Sequence, residues 1–207
     1  MYDETSEEML SKVKFPSAFF RSAPVATLAK ELIGCTLFTL RPEGLSGGVI
    51  TECEAYAMQN DRACHAYDGK RTPRNESMYG PAGTAYVYLC YGIHHLFNIV
   101  CGPVGQADAI LIRAIEPTHG LELMSQRRKG RTGTSLTVGP GNLSQALSIR
   151  QYYNGQYLSP ARIFVVPKPK TVSVEASPRI GIDYAGPDKE LPWRFVLQNT
   201  IYQSKVR

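Results

Sequence analysis

Residues 84 to 100 constrain the fold more than any other stretch. From Thr84 to Cys90 the side chains alternate, with Tyr86, Tyr88 and Cys90 on one face of a strand and Val87 and Leu89 on the other. Tyr91-Gly92-Ile-His-His95 reads as a hairpin tip, and Leu96 to Val100 as the returning strand. A hairpin commits its two strands to antiparallel pairing. Two further runs flank it. A strand entering from Gly48 places Glu52, Glu54 and Tyr56 on one face and Thr51, Cys53 and Ala55 on the other, and Ala109 to Ile115 predicts a strand carrying Arg113. Short strands with few helices predict an α+β fold: a single domain with a mainly antiparallel sheet, flanking helices and a protruding β-hairpin.

The remaining elements are read from punctuation. Ser22 is expected to cap a helix with Pro24 in its first turn, Val25, Leu28, Ala29 and Leu32 on one face, and Gly34 as its stop. Thr36 to Leu40 predicts a strand, and Arg41 to Gly48 a turn. Residues 57 to 82 are polar and rich in Gly, Pro and Asn. They predict a long ordered loop that holds Arg62, His65, Lys70, Arg71 and Arg74. Pro117 is expected to open a helix that ends in the basic run Arg127 to Arg131, and Gly139-Pro-Gly-Asn142 a short helix through Leu147. Arg162 to Val166 predicts a strand and Pro167 to Pro178 a Pro/Lys-rich loop. Arg179 to Ile182 and Arg194 to Leu197 are expected to close the domain.

Charge and cysteine content bound the function. Of the 18 acids, Asp3, Glu4, Glu7 and Glu8 fall in an acidic tail at residues 1–14, ahead of a domain at 15–207. With those four set aside, 23 cations face 14 anions, a balance that favours an anionic partner such as nucleic acid. The five cysteines are odd in number and lack CxxC spacing, which argues against a disulfide framework and fits reduced thiols in a cytosolic protein. The spacing Cys90-x3-His94-His95-x5-Cys101 matches no standard zinc finger, so no metal is expected. No apolar run is long enough to span a bilayer, and the N-terminus has no secretion-signal pattern. A cytoplasmic place is expected, at the nucleoid in a bacterium, or a nuclear one in a eukaryote.

The chemistry concentrates between Val49 and Arg113. Tyr56, His65, Tyr86 and Tyr88 are flat side chains able to sandwich a heteroaromatic ring. Glu54 is able to take a proton from water, and Arg113 to hold a phosphate or orient that carboxylate. Tyr91, a large aromatic at a hairpin tip, is able to wedge into a base stack. Each signal alone also fits a sheet surface, a structural histidine or a buried ion pair. A catalyst, a non-catalytic damage binder and a general nucleic-acid module all remain open at this point.

The run Glu52-Cys-Glu-Ala-Tyr56, with His65, Arg71-Thr-Pro-Arg-Asn75 and Met78, closely resembles the alkyladenine (3-methyladenine) DNA glycosylase family. So do Gly83-Thr-Ala-Tyr-Val-Tyr-Leu-Cys-Tyr-Gly92, Asn98 and Leu111-Ile-Arg-Ala-Ile-Glu-Pro117. Gly139-Pro-Gly-Asn-Leu-Ser-Gln-Ala-Leu147 and Arg179-Ile-Gly-Ile182 continue the likeness. The resemblance implies a curved antiparallel sheet and a base-excision enzyme, probing duplex DNA for a damaged purine as a monomer, with no cofactor and no metal. It implies Glu54 as general base, with Arg113 and the backbone carbonyl of Ile180 holding the attacking water. Tyr56, His65 and Tyr88 would stack on the extruded base, and Asn98 would crowd the exocyclic amino group of guanine. Tyr91 would fill the gap in the duplex. Met78, Arg71 and Arg74 would lie toward the DNA. The expected lesions are 3-methyladenine, 7-methylguanine, hypoxanthine and ethenoadenine.

Overall fold

The computed structural model describes residues 17–205, so the expected acidic tail lies outside the described residues. A 3-10 turn at Phe19–Arg21 leads into helix α1 (Val25–Leu32). Strands β1 (Thr36–Arg41), β2 (Gly44–Tyr56), β3 (Ala85–Cys90), β4 (His94–Cys101) and β5 (Asp108–His119) follow. Three short helices come next, α2 (Leu121–Arg127), α3 (Thr134–Thr137) and α4 (Pro140–Ala146), and then β6 (Ile163–Val166), β7 (Val174–Ser177) and β8 (Arg194–Leu197). All strands join one eight-stranded sheet in the order β3-β4-β5-β2-β1-β6, with β8 paired to both β2 and β7. Every strand pairing among the described residues is antiparallel, as the hairpin pattern predicts. Among the described residues no helix is long and apolar enough to cross a membrane.

Strand β2 organises the sheet. One edge pairs with β5 from Gly47 to Tyr56; the other pairs with β1 over Gly44 to Val49 and with β8 over Glu52 to Glu54. Two irregularities in the β2–β5 ladder bear on the site. Ile50 faces Ile115 and Glu52 faces Ala114, so Thr51 is an extra residue on β2; Cys53 then faces Ile112, so Arg113 is an extra residue on β5. Bulges bend the strand and re-aim side chains, and they cluster beside active sites.

The sheet buries both faces. Cys53, Ala55, Phe97, Ile99, Ile110 and Ile112 pack with Leu28, Ala29 and Leu32 of α1, the helix face expected from its periodicity. On the opposite face Cys64, Ala66, Met78, Tyr86 and Ala109 form a second cluster beneath the segment 57–82. That segment is ordered, as expected. Two 3-10 turns, Tyr67–Gly69 and Glu76–Tyr79, shape it. Buried Asn75 ties it together, accepting from the Thr72 amide and donating to the carbonyls of His65 and Lys70.

Four local expectations are corrected. Ser22 does not cap α1: its hydroxyl donates to the Phe19 carbonyl at 2.8 Å, closing the preceding 3-10 turn, and Pro24 takes the cap position without a side-chain bond. The turn after β1 is shorter than Arg41 to Gly48, because Gly44 to Gly48 already pair as strand. Pro117 does not open a helix but lies inside β5. It is tolerated there because Gly48 faces Pro117 while Gly47 faces His119, a bulge where no ladder donor is needed. The Pro/Lys-rich loop contains β7, which gains its pairing from β8, distant in sequence.

Glycine at 48 is required by the approach of β5. A Cβ there would sit 2.2 Å from the Glu116 carbonyl oxygen, in a backbone contact with no side chain free to yield. We expect Gly48→Ala to lower the unfolding free energy by about 3 kcal/mol, read from the shift of a denaturant midpoint.

Candidate active site

Glu54 lies fully buried near the C-terminal end of β2. Three donors hold its carboxylate. The Tyr56 hydroxyl donates to Oε2 at 2.7 Å and Arg113 Nη1 to the same oxygen at 3.1 Å, while the Ile180 amide donates to Oε1 at 2.8 Å. A carboxylate offers about four acceptor sites. One is therefore left without a protein donor among the described residues. The sequence resemblance assigns the carbonyl of Ile180 to this centre; the contact that the structure gives is made by the amide.

The three donors line a cavity of about 630 Å³, within the usual range for a small-molecule site. Its wall brings together Tyr56, His65, Tyr88, Asn98 and Arg113, with Tyr91 and Arg74 toward its rim. Glu54 sits one layer behind that wall. The antiparallel register explains the grouping: Leu111 faces Glu54 and Ala109 faces Tyr56 across β2–β5, and Asn98 faces both Tyr86 and Leu111. Four strands are thereby gathered on one face, and the segments holding His65 and Ile180 complete the wall.

The aromatic side chains are fixed from behind. The His65 and Tyr88 rings meet edge to face, with centroids 4.7 Å apart. Tyr86 is almost fully buried, and its hydroxyl lies 2.9 Å from His65 Nδ1, so it anchors the imidazole more than it offers a stacking face. Burial, with Arg74 and Lys70 adding to it, pushes the His65 pKa down to about 4, so the ring is neutral at physiological pH. Burial raises the Tyr88 and Tyr56 hydroxyls above their ordinary range. Asn98 donates through Nδ2 to the Tyr86 carbonyl at 3.1 Å, which locks its amide against the cavity wall.

The hairpin tip carries strain in a useful place. Tyr91 has φ +50° and is 92% exposed; the Ile93 amide closes on the Cys90 carbonyl at 3.2 Å, with Gly92 also at positive φ. A bulky residue in that conformation is uncommon, and Leu89 and Ile93 beside it are exposed too.

The three residues expected toward DNA separate. Arg74 stands over the Tyr88 ring at 5.2 Å and donates to the Leu89 carbonyl, at the cavity rim. Arg71 is exposed, but its guanidinium is paired with Glu76 and stacked on Tyr79, away from the cavity. Met78 is 2% exposed, packed in the second core cluster, and lines the cavity.

Sequence reasoning missed a second buried pair. Arg179 donates to both oxygens of Asp61 at 2.7 Å, and both side chains are fully buried. The same guanidinium lies 4.8 Å over the Tyr56 ring, so it backs one face of that ring. Residues 179–182 carried a recognisable motif, but nothing marked Asp61. Glu52, read as structural, accepts from Arg113 and Arg194. Cys101 belongs to the main core, apart from the hairpin-end residues Cys90 and His94 that face each other. Among the described residues no group of three or more His, Cys, Asp or Glu is placed to hold a metal ion.

Comparison with known proteins adds an independent finding. Residues 18–201 match the family described as methylpurine-DNA glycosylase. A protein of Chlamydia pneumoniae is 45% identical over 86% of this chain and 92% of its own length. One of Carboxydothermus hydrogenoformans is 45% identical over 90% and 96%, and one of Rhodopseudomonas palustris 46% identical over 90% and 86%. The name of each contains the words 3-methyladenine DNA glycosylase.

Three variants test the electrostatics by their unfolding free energies. Arg179→Ala strands a buried carboxylate and is expected to cost about 3–5 kcal/mol of stability. Arg62→Ala, which breaks the half-exposed pair with Asp188, should cost less than about 1 kcal/mol. Because the folded pKa of His65 lies below its unfolded value of 6.5, the unfolded state takes up its proton first as pH falls. Stability that is full above pH 6.5 is then lost down to about pH 4. His65→Gln should flatten that acid-side loss by about 3 kcal/mol in unfolding titrations at pH 7 and pH 4.

Proposed function

The chain belongs to the methylpurine-DNA glycosylase family and is a hydrolytic DNA N-glycosylase of alkylated-base repair; from that premise, we propose how its cavity works and which bases it takes. A damaged purine leaves the duplex and enters the aromatic cavity. A water activated by Glu54 attacks its sugar carbon, the N-glycosidic bond breaks, and an abasic site remains. The observation that carries this reading is the Glu54 carboxylate, held by three donors behind the cavity with one acceptor site unused.

Each remaining residue has a physical part. Taking a base out of the stack costs a few kcal/mol, least for a damaged pair. Stacking on Tyr56, His65 and Tyr88 returns about 1–3 kcal/mol per base. Tyr91, exposed and held at positive φ, fills the vacated space from the minor groove. Neutral His65 supplies a flat surface without adding charge beside a cationic lesion such as 3-methyladenine or 7-methylguanine. Asn98, fixed by the Tyr86 carbonyl, crowds the position of the guanine amino group. Arg74 at the rim is placed to meet a phosphate. Hypoxanthine and ethenoadenine complete the proposed substrates. The activity asks for one protomer, no metal and no cofactor, and it would be exercised on chromosomal DNA at the nucleoid.

The test is base release from duplexes carrying one hypoxanthine or ethenoadenine, and from methylated DNA. Glu54→Gln should lose release on all three substrates while lesion binding is retained; tight binding without release by the wild type would make the protein a damage binder instead. In the same assay Asn98→Ala should raise release of undamaged guanine by about 10–200-fold, the worth of one excluded group in a pocket.

A further inference from the structure

Glu52 is the second carboxylate of the β2 strand, two residues before Glu54 and equally buried. Its Oε1 accepts from Arg113 Nε at 3.0 Å and from Arg194 Nε at 2.7 Å; its Oε2 accepts from the Ser204 amide at 2.7 Å. Arg113 therefore spans two carboxylates with two different nitrogens, Nε on Glu52 and Nη1 on Glu54. Its extra-residue position in the β5 ladder aims it there. The four charges are balanced, two carboxylates against two guanidinium groups, in a buried region that meets the cavity only at Arg113.

Stability alone does not account for such a cluster. A buried ion pair is on average no better than well-packed apolar residues of the same volume. We infer that Glu52 is a positioning residue for excision: it holds one edge of Arg113, so that the guanidinium gives Glu54 a single hydrogen bond and leaves it an acceptor site for water. The inference rests on Glu54 being the base. Without Glu52, the fork of Arg113 is free to close on Glu54 with two parallel bonds, the geometry arginine prefers with a carboxylate. That closure fills the vacant site and stabilises the charged carboxylate, both at the expense of proton abstraction. Arg194 acts in the opposite sense, because it draws Glu52 away from Arg113. Burial pushes the Glu52 carboxyl up, but Arg113, Arg194 and the Ser204 amide outweigh it and keep the group ionised.

The charged and titratable neighbours are few. They are Arg113 on β5, Arg194 on β8, Glu54 with Cys53 and Tyr56 on the same strand, and Arg179 and Tyr184 from the segment after β7, joined by the Ser204 amide on one side and the Ile180 amide on the other. Single-turnover excision of ethenoadenine from a duplex, followed from pH 5 to pH 9 alongside lesion-duplex affinity and unfolding midpoint, tests the inference. Glu52→Gln should lower the rate constant about 100-fold, as a misplaced catalytic group does, with affinity unchanged within about twofold. The acid limb of its rate should move to lower pH, and Glu52→Asp should recover part of the rate. Arg194→Gln should move the acid limb to higher pH, so a signature of opposite sign survives even where Glu52→Gln folds poorly. Excision lost in Glu54→Gln, but with rate constant and acid limb unchanged in Glu52→Gln and Arg194→Gln, overturns this inference alone. Excision retained in Glu54→Gln removes its premise and overturns both readings.

Discussion

The structure depends on keeping two carboxylates charged inside a β-sheet. An unpaired carboxylate at that depth would take up a proton sooner than stay ionised. Glu52 and Glu54 therefore require Arg113 and Arg194, and those residues come from β5 and β8, on opposite edges of β2. The requirement reaches the end of the chain, where the Ser204 amide meets Glu52 and the Tyr202 carbonyl accepts from bulged Thr51 at 2.7 Å. A sheet that only closed a core would have no use for compensating bulges at Thr51 and Arg113. Here they bring a cation level with two anions while the ladder on either side stays in register.

The cavity obeys the same economy in apolar terms. Its rings are each fixed by a neighbour: Tyr86 behind His65, Arg179 behind Tyr56, Arg74 over Tyr88. Rings that cannot turn lose no freedom when a base slides against them, so the stacking energy is not eroded by ordering. The segment 57–82 supplies His65, Arg74 and Asp61 to this arrangement and is itself pinned by Asn75. It is a loop by its lack of strand pairing, and a wall by its hydrogen bonds.

Much of this was legible because it is local. Period-two alternation gave the β3–β4 hairpin, the Glu52–Glu54–Tyr56 face and the strand of Arg113, and the helix stripe gave the buried face of α1. What was not legible is what sequence distance hides. Asp61 and Arg179 are 118 residues apart, and each looks like an ordinary surface charge until the fold joins them. Arg194 lies 142 residues from Glu52. Strand β7 exists only because β8 lies beside it, and Pro117 is strand only because a bulge excuses its missing donor.

The rigid base and the exposed wedge answer different parts of one problem. Flipping is reversible and uphill for a sound base, so the proposed enzyme would meet many normal purines for each lesion. In the proposed mechanism Tyr91 would lower that barrier without regard to identity, because a protruding ring replaces whatever has left the stack. On that reading discrimination would lie where the wedge does not reach, in the fit against Asn98 and in the attack led by Glu54. A cationic lesion is already a good leaving group and needs only the water; a neutral base in the same cavity, sound or damaged, would need leaving-group help as well. Arg113 and neutral His65 offer the departing ring no acid with a pKa near neutrality. On the proposed reading, the groups that would activate water favour a cationic lesion over any neutral base, and among neutral bases selectivity would rest on the fit against Asn98.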